Sequence, residues 1–377
     1  MKVLVVTNDF PPRPGGIQQY VHALTSRLPP AEVVVYASTW PGAKAFDAAQ
    51  AFPVVRESTG VLLPVRSVGV RAREIARVEG CDTAWFGAAA PLGLLAPTLR
   101  SAGVGRVVGS THGHETGWAV LPGARQALRR IGRSADAITY ISDYTRRRLG
   151  TAFGPAPLVH VPPGVDSEVF SPHADGSGVR KRHDLVDRAV VVCVSRLMPR
   201  KGNDVLIRGL AAVQRQLPGA ALLVVGGGPD MQRLQRLAVD AGVADSVRFT
   251  GSVPWAELPA HYAAGDVFAM PARTRFRGID VEGLGIVYLE AAATGLPVVA
   301  GRSGGAPEAV RHGETGLVVE GRDVDEVASA VAELLADPVR SAAMGRAGRE
   351  WVEQQWRWDV IAERFHALLC GPSHRPG

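Results

Sequence analysis

Residues 189–216 read AVVVCVSRLMPRKGNDVLIRGLAAVQRQ, and this stretch decides the fold. It opens with six apolar residues, mostly valine, the composition of a strand buried on both faces. A turn containing Pro199 and Gly202 follows, and then a helical pattern over 204–216. Strand, turn and helix make half of a βαβ unit, whose next strand runs parallel to the first. Outward from there the rhythm continues, with apolar runs at 221–225, 247–249, 267–270, 297–300 and 316–319 and helical patterns at 230–241 and 285–293. Upstream the same alternation has already run once. Its runs are 3–6, 33–36, 83–86, 107–110, 137–141 and 158–161, with helical patterns at 17–28, 91–102 and 122–133. Two rounds in one chain of 377 residues predict two doubly wound, parallel-sheet α/β domains, since one core rarely grows that large.

Between the rounds lies the one polar, breaker-rich stretch, Pro162–Pro163–Gly164 followed by SPHADGSG at 171–178. The expected organisation is therefore a first domain at 1–168, a linker at 169–188 and a second domain at 189–355. A tail helix at 356–377 is expected to run back over the first domain. The helical pattern of that tail begins near 341 and carries Trp351, Trp356 and Trp358.

Composition narrows the function classes. The chain is 46% hydrophobic and 21% charged, ordinary for a soluble protein. No apolar run approaches the ~20 residues of a membrane-spanning helix. The first residues enter a strand directly, which reads as cytoplasmic. Cys81, Cys193 and Cys370 are far apart and form no paired motif, against a disulfide framework or structural zinc. The net charge is +6, with four lysines (Lys2, Lys44, Lys181 and Lys201) among 42 basic residues. That balance favours anionic partners, phosphates or an acidic membrane face. Arg125, Arg129 and Arg133 share a helix face opposite Leu121, Leu128 and Ile131, and Arg146–Arg147–Arg148 follow. The set reads either as a solvated face or as a footprint on anionic lipid headgroups. Nucleic acid is excluded as a partner by the lack of interleaved aromatics or a recognition motif.

Four motifs carry chemistry. TNDFPPRPGG at 7–16 follows the first strand. Gly15 and Gly16 before a helix let backbone N–H groups approach an anion, although a flexible turn would look the same. Glycine turns at 226–229 and 303–307 miss the dinucleotide fingerprint, against a dehydrogenase. SRLMPRKG at 195–202 leaves a strand end and enters a helix, the place where open α/β sheets bind ligands. There Arg196 and Lys201 can clamp a diphosphate and oppose charge on a departing nucleotide. Arg200 reads as a solvated basic residue. EGLGIVYLE at 282–290 places two carboxylates eight apart. Gly283 and Gly285 free the N–H groups of residues such as Ile286 and Val287 to face a phosphate. Glu290 on the helix can accept from a ribose diol, and Glu282 before it can reach sugar hydroxyls. Finally, THGHE at 111–115 resembles a metal pair but lacks a third placed ligand. His112 facing the crevice is the better reading. Asp323 and Asp325 form a D-x-D that reads as a helix cap.

In this order the motifs resemble the retaining GT-B glycosyltransferases of family 4 over nearly the whole chain. Residues 7–18 and 273–285 are similar to the actinobacterial phosphatidylinositol mannoside mannosyltransferases among them. The resemblance implies two Rossmann-like domains facing a central cleft. It implies GDP-mannose as donor, a phosphatidylinositol monomannoside as lipid acceptor and an α-1,6 bond formed with retention, with no metal or other cofactor. Arg196 and Lys201 would hold the diphosphate, Glu290 the ribose and Glu282 the mannose. Gly16 would crowd the phosphates, and Val253 would meet guanine through its backbone. His112 would sit by the transferring sugar, with Asp9 and Gln18 toward inositol. The enzyme would work peripherally on the inner face of the plasma membrane. Two other readings share the fold: transfer of N-acetylglucosamine from UDP to inositol phosphate, and nucleotide-sugar epimerisation.

Overall fold

The computed structural model describes residues 1–113, 115 and 117–371. They form two compact units, residues 1–163 with 358–371, and Gly164–Arg357.

The first unit is built on seven strands: β1 (Val3–Thr7), β2 (Val33–Ser38), β3 (Val54–Glu57), β4 (Thr83–Phe86), β5 (Arg106–Ser110), β6 (Ala137–Tyr140) and β7 (Leu158–His160). Their order is β3-β2-β1-β4-β5-β6-β7, every pair parallel. Alternation along the strands sends side chains to two covered faces. Val3, Val5, Val33 and Val35 meet Tyr20, Val21 and Leu24 of the helix Gly16–Thr25, and Ile361, Phe365 and Leu369 of the helix Trp358–Cys370. Leu4, Val6, Val34 and Tyr36 meet Val68, Ala72 and Ile75 of the helix Arg66–Val78. Burial on both faces is why these strands read as continuous apolar runs.

The second unit carries β8 (Val190–Val194), β9 (Ala221–Val225), β10 (Val247–Gly251), β11 (Val267–Met270), β12 (Val298–Gly301) and β13 (Gly316–Val319). Their order is β10-β9-β8-β11-β12-β13, again parallel throughout. In both sheets the chain winds outward one way, then returns to start again on the other side of the first strand. The switch points, β1/β4 and β8/β11, leave a crevice beyond the carboxyl ends of the strands. Every motif singled out above except Asp323–Val324–Asp325 leaves a strand at that end or begins the helix that follows.

The boundaries differ from the sequence expectation. Residues 169–188 are not a linker: they contain the helix Ser177–Arg182, and Val179 and Leu185 are buried in the second core. The chain passes between units at Pro163/Gly164 and Arg357/Trp358 instead. The tail is not one helix from 341. Pro338–Gln355 and Trp358–Cys370 are separate, broken at Trp356 and Arg357, where Trp356 O accepts from Val165 N–H at 2.7 Å and Arg357 bridges Val165. Trp351 and Trp356 meet edge to face at 5.5 Å in the second unit, while Trp358 belongs to the first. β3 and the helix Arg66–Val78 have no counterpart in the sequence reading. All four residues of β3 are half-buried, as befits a short edge strand.

Candidate active site

In the second unit, Ser195 and Arg196 directly follow β8. Arg196 is exposed, and no described residue bonds its side chain. It borders an open depression of about 520 Å³ floored by Gly226, Gly227 and Gly228 and walled by Ser195, Ser252, Val253, Leu258 and Val287. A Cβ on Gly226, Gly227 or Gly228 would collide with Ser195 O, Ser252 Oγ or Leu197 O, so the glycines let this turn pack close against the end of β8, and Arg196 supplies a cation at the edge. Val253 and Val287, two of the expected contacts, are both here.

Lys201 is placed differently. Gly202 turns the chain at φ 77°, where a Cβ would also collide with the Pro271 carbonyl. Only glycine gives this turn into the helix Asn203–Gln216. The turn folds Lys201 inward until it is buried, and its Nζ donates to Glu282 Oε2 at 2.5 Å, both side chains about a tenth exposed. Two residues expected to serve phosphate and sugar separately are thus one ion pair. Glu282 is held by its backbone as well: Ser303 Oγ accepts from its N–H at 3.3 Å and its carbonyl accepts from Gly305 N–H at 3.0 Å. The glycine turn at 303–307 therefore serves Glu282. Arg200 is not a free solvated cation, since it is half-buried and lies 3.4 Å from Asp280.

Beyond Glu282, Gly285 (φ 86°) caps the helix Ile286–Ala293. Ile286 is its first residue, and its last turns carry Glu290, whose Oε2 accepts from the Tyr262 hydroxyl at 2.6 Å. Burial pushes the Glu290 carboxyl up to about 7, against the pull of that hydrogen bond. A network missed by sequence reading lies behind these loops. Asp204 is buried between Arg273 at 2.9 Å and Arg233 at 3.9 Å, and Arg233 also grips Asp230. It ties the turn that carries Lys201 to the one that leads to Glu282. Nothing in the spacing of four charges along the chain announces it.

In the first unit, Asp9 and Gln18 come together. Gln18 is buried, and its Nε2 donates to Asp9 Oδ1 at 2.7 Å. Gly15 (φ 151°) caps the helix bearing Gln18, and a Cβ there would collide with the Gln18 amide. Gly16, exposed, faces open space. His112 donates from Nε2 to the Gly87 carbonyl at 2.7 Å, and Tyr20 packs edge-on at 5.0 Å. Because a carbonyl only accepts, Nε2 carries the proton. The loop is fixed by Glu115, fully buried, whose Oε2 accepts from His112 N–H and Gly113 N–H, both at 3.0 Å. His114 lies outside the described residues. Asp323 accepts from Asp325 and Glu326 N–H groups at 3.0 Å, a helix cap.

Residues 14–169 match the family model described as glycosyltransferase family 4, and residues 179–351 the one described as glycosyl transferases group 1. A protein of Mycobacterium tuberculosis (strain CDC 1551 / Oshkosh) is 56% identical over 378 residues, covering 98% of each chain. Its name is GDP-mannose-dependent alpha-(1-6)-phosphatidylinositol monomannoside mannosyltransferase. The chain belongs to glycosyltransferase family 4. A Corynebacterium glutamicum relative of this glycosyltransferase is 50% identical over 374 residues, 98% of this chain and 97% of its own. Its name specifies a monoacylated phosphatidylinositol monomannoside. Among solved structures, Anabaena HepE in complex with UDP superposes with a TM-score of 0.81 at 22% identity, over 98% of this chain and 100% of that one. At that identity the likeness speaks for the fold.

The glycosyltransferase also carries basic surface in its first unit. Arg125, Arg129, Arg130 and Arg133 are exposed on the helix Pro122–Ser134, which buries Leu128 and Ile131. Leu121 departs from the expected packed face: at the helix start it is 61% exposed. Arg146, Arg147 and Arg148 are exposed on the helix Asp143–Leu149. Elsewhere Val61, Leu63 and Val65 are each about half exposed, directly before Arg66 and the helix Arg66–Val78. Among the described residues no helix is long and apolar enough to cross a membrane.

Proposed function

We propose that this chain transfers mannose from GDP-mannose to a phosphatidylinositol monomannoside, forming an α-1,6 bond with retention at the anomeric carbon. The observation that carries the reading is end-to-end identity of 56% with a mannosyltransferase of that name. A site of suitable chemistry supports it. The depression beside Val253 takes guanine, Glu290 the ribose, and Arg196 and Lys201 the diphosphate. As the bond between mannose C1 and the phosphate oxygen breaks, negative charge collects on the diphosphate, and two cations oppose it, Lys201 held by its ion pair and Arg196 reaching in from the rim. The acceptor hydroxyl adds to C1 from the face the diphosphate leaves. Its proton passes to a diphosphate oxygen, so the leaving group serves as the base, and same-face addition needs no protein nucleophile. Glu282, already tied to Lys201, couples mannose hydroxyls to the same cation. The acceptor falls to the first unit, with Asp9 and Gln18 toward inositol and His112, held in one tautomer by Gly87, beside the sugar.

The cations stand in for a metal, so the transfer runs without one. Access to the lipid comes from docking on the inner face of an anionic membrane. The exposed arginines and the apolar Val61, Leu63 and Val65 fit headgroups and acyl chain respectively. A donor and acceptor screen with purified protein tests the reading. Turnover is expected with GDP-mannose and phosphatidylinositol monomannoside, undiminished by EDTA. Preference for UDP-N-acetylglucosamine with inositol phosphate, or release of an epimer without acceptor, overturns the function. Loss with EDTA overturns metal independence alone.

A further inference from the structure

Tyr262 sits on the helix Leu258–Ala263, fully buried, with the rings of Phe170 and Phe268 at 5.6 and 5.8 Å. A phenol sealed from water needs a partner for its O–H, and this one donates to Glu290 Oε2. Among the described residues none bonds the other carboxylate oxygen, Oε1. Both elements that carry the pair reach the glycine-floored depression: Leu258 begins the helix of Tyr262, and Val287 lies one turn before Glu290.

We propose that Tyr262 is the positioning residue of the nucleotide site, fixing one oxygen of Glu290 so that the other accepts from the ribose diol of the donor. This rests on the reading that Glu290 meets the ribose. A carboxylate accepts from a hydroxyl in any rotamer, but an untethered one must give up torsional freedom on binding. The phenol removes that loss in advance. It also favours the charged form, because a hydrogen bond to a carboxylate stabilises the anion against burial. The groups that face the carboxylate are few. Tyr262 reaches it from the neighbouring helix, and Cys193, buried in β8, is an uncharged thiol, its pKa pushed up by burial to about 12. On its own helix Tyr288 turns away to the Met270 carbonyl. Arg349, from the helix Pro338–Gln355, is engaged by the Ala293 carbonyl and by Glu353.

Removing the phenol leaves a carboxyl that protonates at higher pH. Once protonated it no longer accepts ribose hydroxyls from both lone-pair sets, so the fall in donor affinity on acidification begins at higher pH. The test uses the full-length protein and its Tyr262→Phe variant, which keeps the ring in its packing. The KM for GDP-mannose is expected to rise about tenfold at neutral pH with kcat within about twofold. The acid limb of GDP binding should move up by about one pH unit, and 2′,3′-dideoxy-GDP should bind both proteins equally. An unmoved acid limb, or an equal loss toward GDP and its dideoxy analogue, reduces Tyr262 to packing and overturns the proposal. Glu290→Gln separates the two levels. If it leaves the preference for GDP over the dideoxy nucleotide intact, the ribose reading itself is wrong. If it abolishes that preference while Tyr262→Phe does not, only the role of Tyr262 fails.

Discussion

Lys201 and Glu282 illustrate how a pair proposed to serve chemistry also carries structural risk. Each is about nine-tenths buried and each is the other's counter-charge. Removing one member leaves an uncompensated buried ion, which costs about 3–5 kcal/mol. Lys201→Ala is therefore expected to lower transfer by about three orders of magnitude and to lose stability of that size. Lys201→Ala with Glu282→Ala should recover the stability and none of the transfer. Arg196 offers the contrast. It is exposed and has no bonded partner among the described residues, so Arg196→Ala should depress turnover comparably with an unchanged denaturation midpoint. Turnover and urea unfolding, measured side by side, check both. Equal effects of the two single variants on stability would contradict the placement. At this scale the sequence was informative where residue type limits chemistry: a lone lysine at a strand exit, and an acid on an apolar helix. It was silent on partnership. No spacing rule says that Lys201 meets a carboxylate 81 positions away, or that Glu290 leans on Tyr262.

Among the elements, the last helix shows how one end of the chain completes a core begun at the other. Phe365 of Trp358–Cys370 lies with its ring 4.6 Å from that of Trp85 in β4, and both are fully buried. Deleting such a ring costs about 3–5 kcal/mol, depending on how far the cavity relaxes. Phe365→Ala should thus lower the thermal midpoint of the first unit clearly, while GDP affinity, assigned by the proposed function to the second unit, stays within about twofold. Calorimetry with and without GDP checks this, and an unaltered midpoint would mean that the helix contributes little to the first core. Central strands were readable because burial on both faces demands uninterrupted apolar residues. β3 was not, because an edge strand needs only half a face and its VVRE reads like a loop. The break between the two tail helices was invisible for another reason. Trp356 and Arg357 leave the helix to bond with Val165, a partner some 190 residues earlier, and helical periodicity carries no record of that.

For the molecule as a whole, the excess of arginine (net charge +6) is the property most open to test. The protein should co-sediment with vesicles containing phosphatidylinositol or phosphatidylglycerol and not with pure phosphatidylcholine. Raising salt to about 0.5 M should release it, since screening shortens the reach of exposed charge to a few ångströms. Replacing Arg125, Arg129 and Arg133 by serine should weaken the binding about a hundredfold, at about 1 kcal/mol per residue at the surface. Binding indifferent to lipid charge would reassign these arginines to solvent. The sequence by itself determined two parallel α/β sheets and the glycine turns and charged residues at their strand ends, because apolar periodicity and glycine turns are local properties that survive in one dimension. Only the tertiary structure decided where one unit ends and the other begins, and which charges neutralise one another. Those depend on contacts between distant segments, and a buried polar group takes whatever partner the fold brings within reach.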